Sequence, residues 1–363
     1  LIKHDTETGE NSGWLPETLK FESMVKSNPE MARRIAATKF ESYKRNGIIG
    51  SIEYTTSSVE ATRIVLSVAE EMGFKDTVKV GYVCMDQNVG NGLESSSDEA
   101  ISATRSLLKE FGDRVVVIDR FPIAVSSPLR KRLALLASEF GVPYETHSNE
   151  SVGEKALHEK NYDGKSILSV LLEDGVFKPG SKVGLAHTIH ATEDEIRIVG
   201  EKISAGCTVY IRACPGSNAQ LGSYVDEDGQ HVEFPLKAWE EAGAIITFGL
   251  DNGAGRGFNL FAEALDERGR PHTDRYVPSY VDLLRYATTN GSRTVGLDPK
   301  NFLAHGHPAT FVAVSPAGLG AYLSPDDVTR ETVERIAGLV IEGGQDPYNI
   351  KTMYVRGKKL TGK

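Results

Sequence analysis

The chain has 363 residues, 40% hydrophobic and 25% charged, which supplies ample material for a large core and excludes a disordered protein. Its formal net charge of −9 excludes the basic face that nucleic acid or an anionic membrane surface requires, and leaves a small polar or uncharged molecule as the expected partner. No run approaches the roughly 20 apolar residues of a membrane span. Cys84, Cys207 and Cys214 lie in apolar, strand-like surroundings, where buried thiols of a reducing, cytoplasmic compartment are expected rather than disulfides.

The chain starts at Leu1 with neither an initiator Met nor a charged-then-apolar leader, so a segment ahead of it is expected to be missing. Residues 1 to 20 are polar and Gly-rich around an isolated Trp14 and read as a loop. Asn28 as cap, Pro29 in the first turn and Gly47 as stop predict a helix from Pro29 to Arg45. A strand follows from Ile48 to Tyr54. From there helices and strands alternate: helix Ser57 to Met72, strand Val78 to Met85, helix Asp98 to Phe111, strand Arg114 to Ile118, helix Pro128 to Phe140 and strand Val142 to His147. Helix Ser166 to Glu173, strand Lys182 to His187, helix Glu193 to Ala205, strand Thr208 to Arg212, helix Leu236 to Glu241 and strand Ala244 to Leu250 continue the pattern, with helices near Leu260 to Ala264 and Tyr280 to Tyr286.

Repeated strand-helix units with short links demand parallel strands joined by right-handed crossovers. Six or seven strands from Ile48 onward fit an open doubly wound sheet or a (β/α)8 barrel whose first strand sits at or before Leu1; the barrel is the expected fold. Beyond about Gly296 the pattern changes to short strands, Phe311 to Val314 and Met353 to Val355, around a helical stretch Thr329 to Ile341, with a tight turn at Arg356-Gly357-Lys358. The expected division is therefore a barrel over 1–300 and a small β appendage with a helical segment over 301–363.

Three strand exits carry residues able to ligate a metal: His147, His187 and Asp251. In a barrel such exits converge on one face, so three of them together mean more than each alone. Two imidazoles and a carboxylate leave room for a water, and Glu150, three residues after His147, could take that water's proton. Arg120-Phe121, after the strand ending at Ile118, could hold a carbonyl oxygen and stack on a planar ligand, or be a surface Arg beside a core Phe. His190 reads as lining the pocket. His272, His305 and His307 fall in loops or the appendage, and His4, His158 and His231 in polar, surface-like runs. Asp251 to Gly257 is Gly-rich but lacks the endings of phosphate loops. Cys214-Pro215-Gly216-Ser217-Asn218 reads as a turn at the pocket edge.

With these pieces in order, Val83-Cys84-Met85-Asp86-Gln87-Asn88, Arg120-Phe121, His147-Ser148-Asn149-Glu150, Leu185-Ala186-His187, Cys214 to Asn218 and Gly249-Leu250-Asp251, the chain resembles the amidohydrolase superfamily. Within it the resemblance is to guanine deaminases and related aminohydrolases acting on amino-heterocycles such as triazines, over about residues 14 to 305, with the C-terminal end similar to an accessory β-sandwich. The resemblance implies one divalent metal ion, foremost zinc, held by His147, His187 and Asp251, with Glu150 as proton shuttle and Asp251 also orienting the nucleophile. Arg120 and Phe121 would contact a purine or similar heterocycle, with His190 and Trp14 also in the pocket. The implied reaction is attack of a metal-activated water on the carbon bearing the amino group, with release of ammonia; a homodimer is the assembly it suggests. The family opens its barrel with an H-x-H pair after the first strand. The chain is read as having no such pair anywhere, and if Leu1-Ile2 ends that strand the positions fall near Asp5 and Glu7, giving D-x-E. An altered metal site acting on another C–N bond, and an inactive barrel serving as a binding protein, are the alternatives.

Overall fold

Short polar side chains set most of the helix starts. The Asn28 side chain accepts the Met31 N–H at 3.0 Å, Ser58 caps through the Ala61 N–H at 3.2 Å, and Ser96 with Glu99 and Thr192 with Glu195 form reciprocal capping boxes. In this computed structural model, which describes residues 14–252, 254–255, 257–270, 276–315 and 330–361, those caps open a regular series of elements. Helices α1 (Trp14–Lys26) and α2 (Pro29–Asn46) precede strand β1 (Ser51–Tyr54), α3 (Val59–Glu71), β2 (Val78–Gly81) and β3 (Val83–Cys84). Next come α4 (Ser97–Phe111), β4 (Val117–Asp119), α5 (Ser127–Phe140), β5 (Tyr144–Ser148), α6 (Val152–Asn161), α7 (Ile167–Glu173), β6 (Lys182–His187), α8 (Glu193–Ser204), β7 (Thr208–Ala213) and α9 (Pro215–Leu221). Helix α10 (Leu236–Glu241), β8 (Ile245–Phe248), α11 (Leu260–Arg268), α12 (Tyr280–Arg285), a π-helical turn over Tyr286–Asn290 and α13 (Gly291–Thr294) complete the main body. The C-terminal end adds β9 (Phe311–Val314), α14 (Arg330–Gly344), β10 (Ile350–Val355) and β11 (Lys358–Thr361).

Strands β3 to β8 form a six-stranded parallel sheet in chain order, and β1 pairs parallel with β2. Only Tyr82 separates β2 from β3, so the stretch 78–84 serves β1 on one side and β4 on the other, and a bridge from Val80 to Val115 joins the two sheets. Seven strand positions thus follow one another with helices between them, the α/β arrangement expected. Among the described residues no strand pairs β1 with β8; their facing edges border a cavity of about 570 Å³ lined by residues 47–55, 247–252 and others. The antiparallel sheet β9-β10-β11 stands apart from the parallel strands, and its strand β10 packs against α2.

Strands β4, β6 and β7 are buried on both faces and mostly apolar, whereas β5 is nearly as buried but largely polar. One polar pair crosses the interior. Arg212 of β7 donates to both carboxylate oxygens of Glu145 on β5, at 2.9 and 2.5 Å, and to Thr247 of β8 at 3.3 Å. A Cβ at Gly184 on the intervening β6 would stand 1.9 Å from that carboxylate, so the pair requires glycine there.

Four expectations need correction. Residues 14–20 are helical, since Trp14 opens α1; α6 occupies a stretch for which no element was expected; the single strand 78–85 is split between two sheets; and Pro215 to Asn218, expected as a turn, are the first residues of helix α9. His158 is no surface residue. It is 0% exposed, with its ring stacked 4.4 Å from that of Tyr162. The pair His305-Gly306-His307 does have H-x-H spacing, but both imidazoles are exposed, in the loop before β9. His4, Asp5, Glu7 and His272 lie outside the described residues.

Burial, then the charge of Arg130, pushes the His158 pKa down to about 4. The unfolded chain therefore takes up this proton first, and the stability is complete above pH ~6.5 and lost as pH falls towards 4. Denaturant unfolding should show the native state losing about 2 kcal/mol through this group between pH 7 and 4.5. His158→Phe should flatten that slope, and an unchanged slope would place its origin elsewhere.

Candidate active site

The residues of the site stand where parallel strands end, and the backbone there is bent into unusual conformations. Asn149, His187, Thr188 and Asp251 all have positive φ, at 53°, 70°, 58° and 42°. Such conformations cost about 1–3 kcal/mol each and persist where the surroundings impose them. The surroundings here are further backbone bonds. Thr188 N–H donates to Ser148 O at 2.8 Å and His190 N–H to Asn149 O at 3.0 Å, so the ladder between β5 and β6 continues beyond the strands and fixes both exits.

Glu150, His187 and Asp251 present one ligand atom each within 4.8 Å of one another. The Glu150 carboxylate lies 3.8 Å from His187 Nε2. His147 stands beside the group, its ring stacked on that of His187 with centroids 5.5 Å apart. Both imidazoles are held by their Nδ1 atoms: His147 on the Arg120 carbonyl oxygen at 2.5 Å, His187 on the Asn218 side-chain oxygen at 2.7 Å. Because those partners accept, Nδ1 carries the proton in each neutral ring and leaves the Nε2 lone pair for a metal, the arrangement a metal-ligating histidine needs. The Ser217 hydroxyl donates to the Asp251 carboxylate, so two residues of α9 orient two of the three ends of the cluster. Sequence reading saw these residues only as a pocket-edge turn.

The electrostatics suit a cation. Burial, then neighbouring His187, lowers the pKa of His147 and keeps it neutral. Burial also opposes charge on His187, but the carboxylates of Glu150 and Asp251 outweigh it and raise its pKa, so the cluster draws positive charge to this spot. Burial and then Asp251 push the Cys214 thiol well above the ordinary range, away from the thiolate.

His147, His187, Asp251 and Arg120 all line the cavity, together with Tyr54 and Glu22. Tyr54 packs edge-on to His147 with centroids 4.9 Å apart. Arg120 does not present a free guanidinium, for its Nη1 is bonded to both Glu22 carboxylate oxygens at 2.8 and 2.7 Å. Phe121 packs with the Leu19, Met85 and Leu93 cluster and is not among the residues lining the cavity. His190 is tied to the Ser223 carbonyl oxygen at 2.8 Å and is likewise outside the lining. Trp14 opens α1, but its side chain lies outside the described residues.

Parallel strands deliver imidazoles and carboxylates to one end of the sheet, and the model of the amidohydrolase family, a family of hydrolases, matches residues 13–360. The chain belongs to that family. It is 25% identical over 338 residues to the guanine deaminase of Escherichia coli, covering 91% of this chain and 72% of the relative. It is also 25% identical over 294 residues to a probable guanine deaminase of Deinococcus radiodurans, covering 78% of this chain but only 63% of that longer protein. Among solved structures, E. coli guanine deaminase superposes with a TM-score of 0.79 at 23% identity over 96% of this chain and 79% of that one. An atrazine chlorohydrolase from Arthrobacter aurescens complexed with zinc shares the fold, with a TM-score of 0.75 at 18% identity over 96% and 77% of the two chains. No helix among the described residues is long and apolar enough to cross a membrane.

Proposed function

We propose that this chain is a metal-dependent aminohydrolase that releases ammonia from guanine or a related amino-heterocycle. The observation that carries the reading is the convergence of Glu150, His187 and Asp251 within 4.8 Å, of which His187 and Asp251 line a cavity that Arg120 also lines. His187 and Asp251, with His147 alongside, would hold one divalent ion, foremost zinc given the nitrogen and oxygen donors. Bound there, such an ion supplies Lewis-acid activation of a water.

The chain's own residues supply the rest. Glu150 takes one proton from the attacking water and delivers it to a ring nitrogen of the heterocycle; it then takes the remaining proton of the new hydroxyl and passes it to the amine, so that the C–N bond breaks with release of ammonia as the carbonyl forms, while Asp251 orients the attacking oxygen. Asn218 and Ser217 keep His187 and Asp251 aimed through the turnover. Arg120 donates to a carbonyl oxygen of the substrate. The relatives named above as guanine deaminases support guanine as the first substrate to try.

The test is metal analysis of the purified protein together with ammonia release from guanine. About one equivalent of divalent metal and turnover abolished by chelation are expected. Stoichiometric metal without ammonia release from guanine would overturn that substrate and direct attention to another C–N bond.

A further inference from the structure

The Arg120–Glu22 pair is built unlike a structural clamp. In a fork-to-fork pair, two guanidinium nitrogens meet two carboxylate oxygens. Here both Glu22 oxygens converge on Nη1 alone, at 2.8 and 2.7 Å, and the Met85 sulfur lies 3.8 Å from the same nitrogen. Among the described residues those are the side-chain partners of the guanidinium, so Nε and Nη2 remain for an acceptor. Each Glu22 oxygen has a second lone pair for a donor. Both side chains are mostly withdrawn from water, 10% exposed for Arg120 and 16% for Glu22, and both border the cavity that holds His147, His187 and Asp251. The Arg120 carbonyl oxygen also holds His147 Nδ1, which ties the pair's position to that of the metal-type cluster.

From this geometry we infer that Glu22 is a specificity-determining residue. It accepts a ring N–H of the substrate while Arg120 donates to the adjacent carbonyl, so the site selects a neutral heterocycle with a lactam edge. The inference rests on the deaminase reading above and deepens it. A neutral ligand follows from charge: the buried pair sums to zero, so an anionic ligand gains from Arg120 only what it loses against Glu22. The lactam follows from pattern. A donor and an acceptor side by side on the protein match an acceptor and a donor side by side on the ligand, and a heterocycle lacking them leaves a largely buried charge pair imperfectly paired, which is what makes hydrogen-bonded recognition selective. Residue 22 reaches the pocket because Lys26 and Glu22 dock α1 beside the strand ends: Lys26 Nζ bonds Ser57 Oγ at 3.2 Å, and the Thr56 hydroxyl donates to the Glu22 carbonyl at 3.5 Å.

The test compares guanine, which has the lactam, with 2-aminopurine, which has the same amino group and lacks it, using the wild type, Glu22→Gln and Glu22→Ala. The expected result for Glu22→Ala is a rise of about tenfold or more in KM for guanine with kcat changed much less, and a loss in kcat/KM on 2-aminopurine at least tenfold smaller. Glu22→Gln, which keeps an acceptor oxygen, should recover part of the guanine KM. Equal losses on both substrates, or a fall in kcat alone, would overturn the inference, as would a drop in melting temperature with no change in the ratio. If the wild type releases ammonia from neither compound, the deaminase reading fails by itself. Equilibrium dialysis of guanine against wild type and Glu22→Ala then decides the role of Glu22: weaker guanine binding in the variant supports it and equal binding overturns it.

Discussion

Glu150→Gln should reduce turnover by at least 10²- to 10⁴-fold, the usual share of a positioned proton-transfer group, while the melting temperature stays within a few degrees of wild type. Gln keeps the volume and an acceptor oxygen but cannot carry the proton from water to ring. The structure makes the accompanying metal measurement decisive. Glu150 stands at ligand distance from Asp251 and His187, so it could hold the ion as well as move the proton. Metal content retained in the variant assigns Glu150 as the shuttle; metal lost with the activity assigns it as a ligand. The carboxyl also has a built-in neighbour: Glu154, pushed up to about 7 by burial and then by Glu150, accepts the Glu150 backbone N–H at 2.7 Å and holds the exit of β5 in place. Glu154 therefore positions the backbone of Glu150, which no spacing argument identified.

What could be read beforehand divides along physical lines. The order of parallel strands was visible because strands buried on both faces leave mostly apolar runs, and β6, β9 and α10 fall on the residues expected. Helix α2 was visible because Asn28, Pro29 and Gly47 each do local work, Gly47 at φ 69°. Helix α1 was hidden by the polar, Gly-rich run before Trp14 and by Pro16 in its first turn, and α6 by having only Val152, Ala156 and Leu157 as larger apolar positions with Gly153 among them. His147, Glu150, His187 and Asp251 could be singled out because each stands at the end of a strand or just after it, and strand exits converge. The partners that orient them could not. Asn218 lies 31 residues from His187, Ser217 34 residues from Asp251, and Glu22 98 residues from Arg120, and nothing in those intervals shows that the chain brings the atoms together. Arg120 itself reads equally as a donor for a ligand or as a surface charge, because a sequence lists charges without showing which are already paired.

Arg130→Ala is expected to destabilise the protein by about 3–5 kcal/mol, because it leaves buried carboxylates uncompensated. Arg130 is 0% exposed. Its Nε meets Asp119 at 3.1 Å and Nη1 meets Asp174 at 2.6 Å, while Nη2 donates to the carbonyl oxygens of Pro122 and Val125 at 2.9 and 2.5 Å and to Tyr162 Oη at 3.0 Å. One side chain thus closes the loop 120–126 that leaves β4, and with it the Arg120 carbonyl that holds His147. The pH dependence separates lost charge from lost packing. Burial already raises the Asp119 pKa against the opposing pull of Arg130, and without that arginine it must rise further. A carboxyl whose folded pKa lies above its unfolded value takes up its proton first in the folded state, so it penalises folding at neutral pH and the penalty fades as pH falls through the raised pKa. The deficit of Arg130→Ala relative to wild type, read from denaturant midpoints, should therefore shrink between pH 8 and pH 5. A deficit of the same size at both ends would mean that the cavity left by the side chain, and not the stranded carboxylates, accounts for the loss.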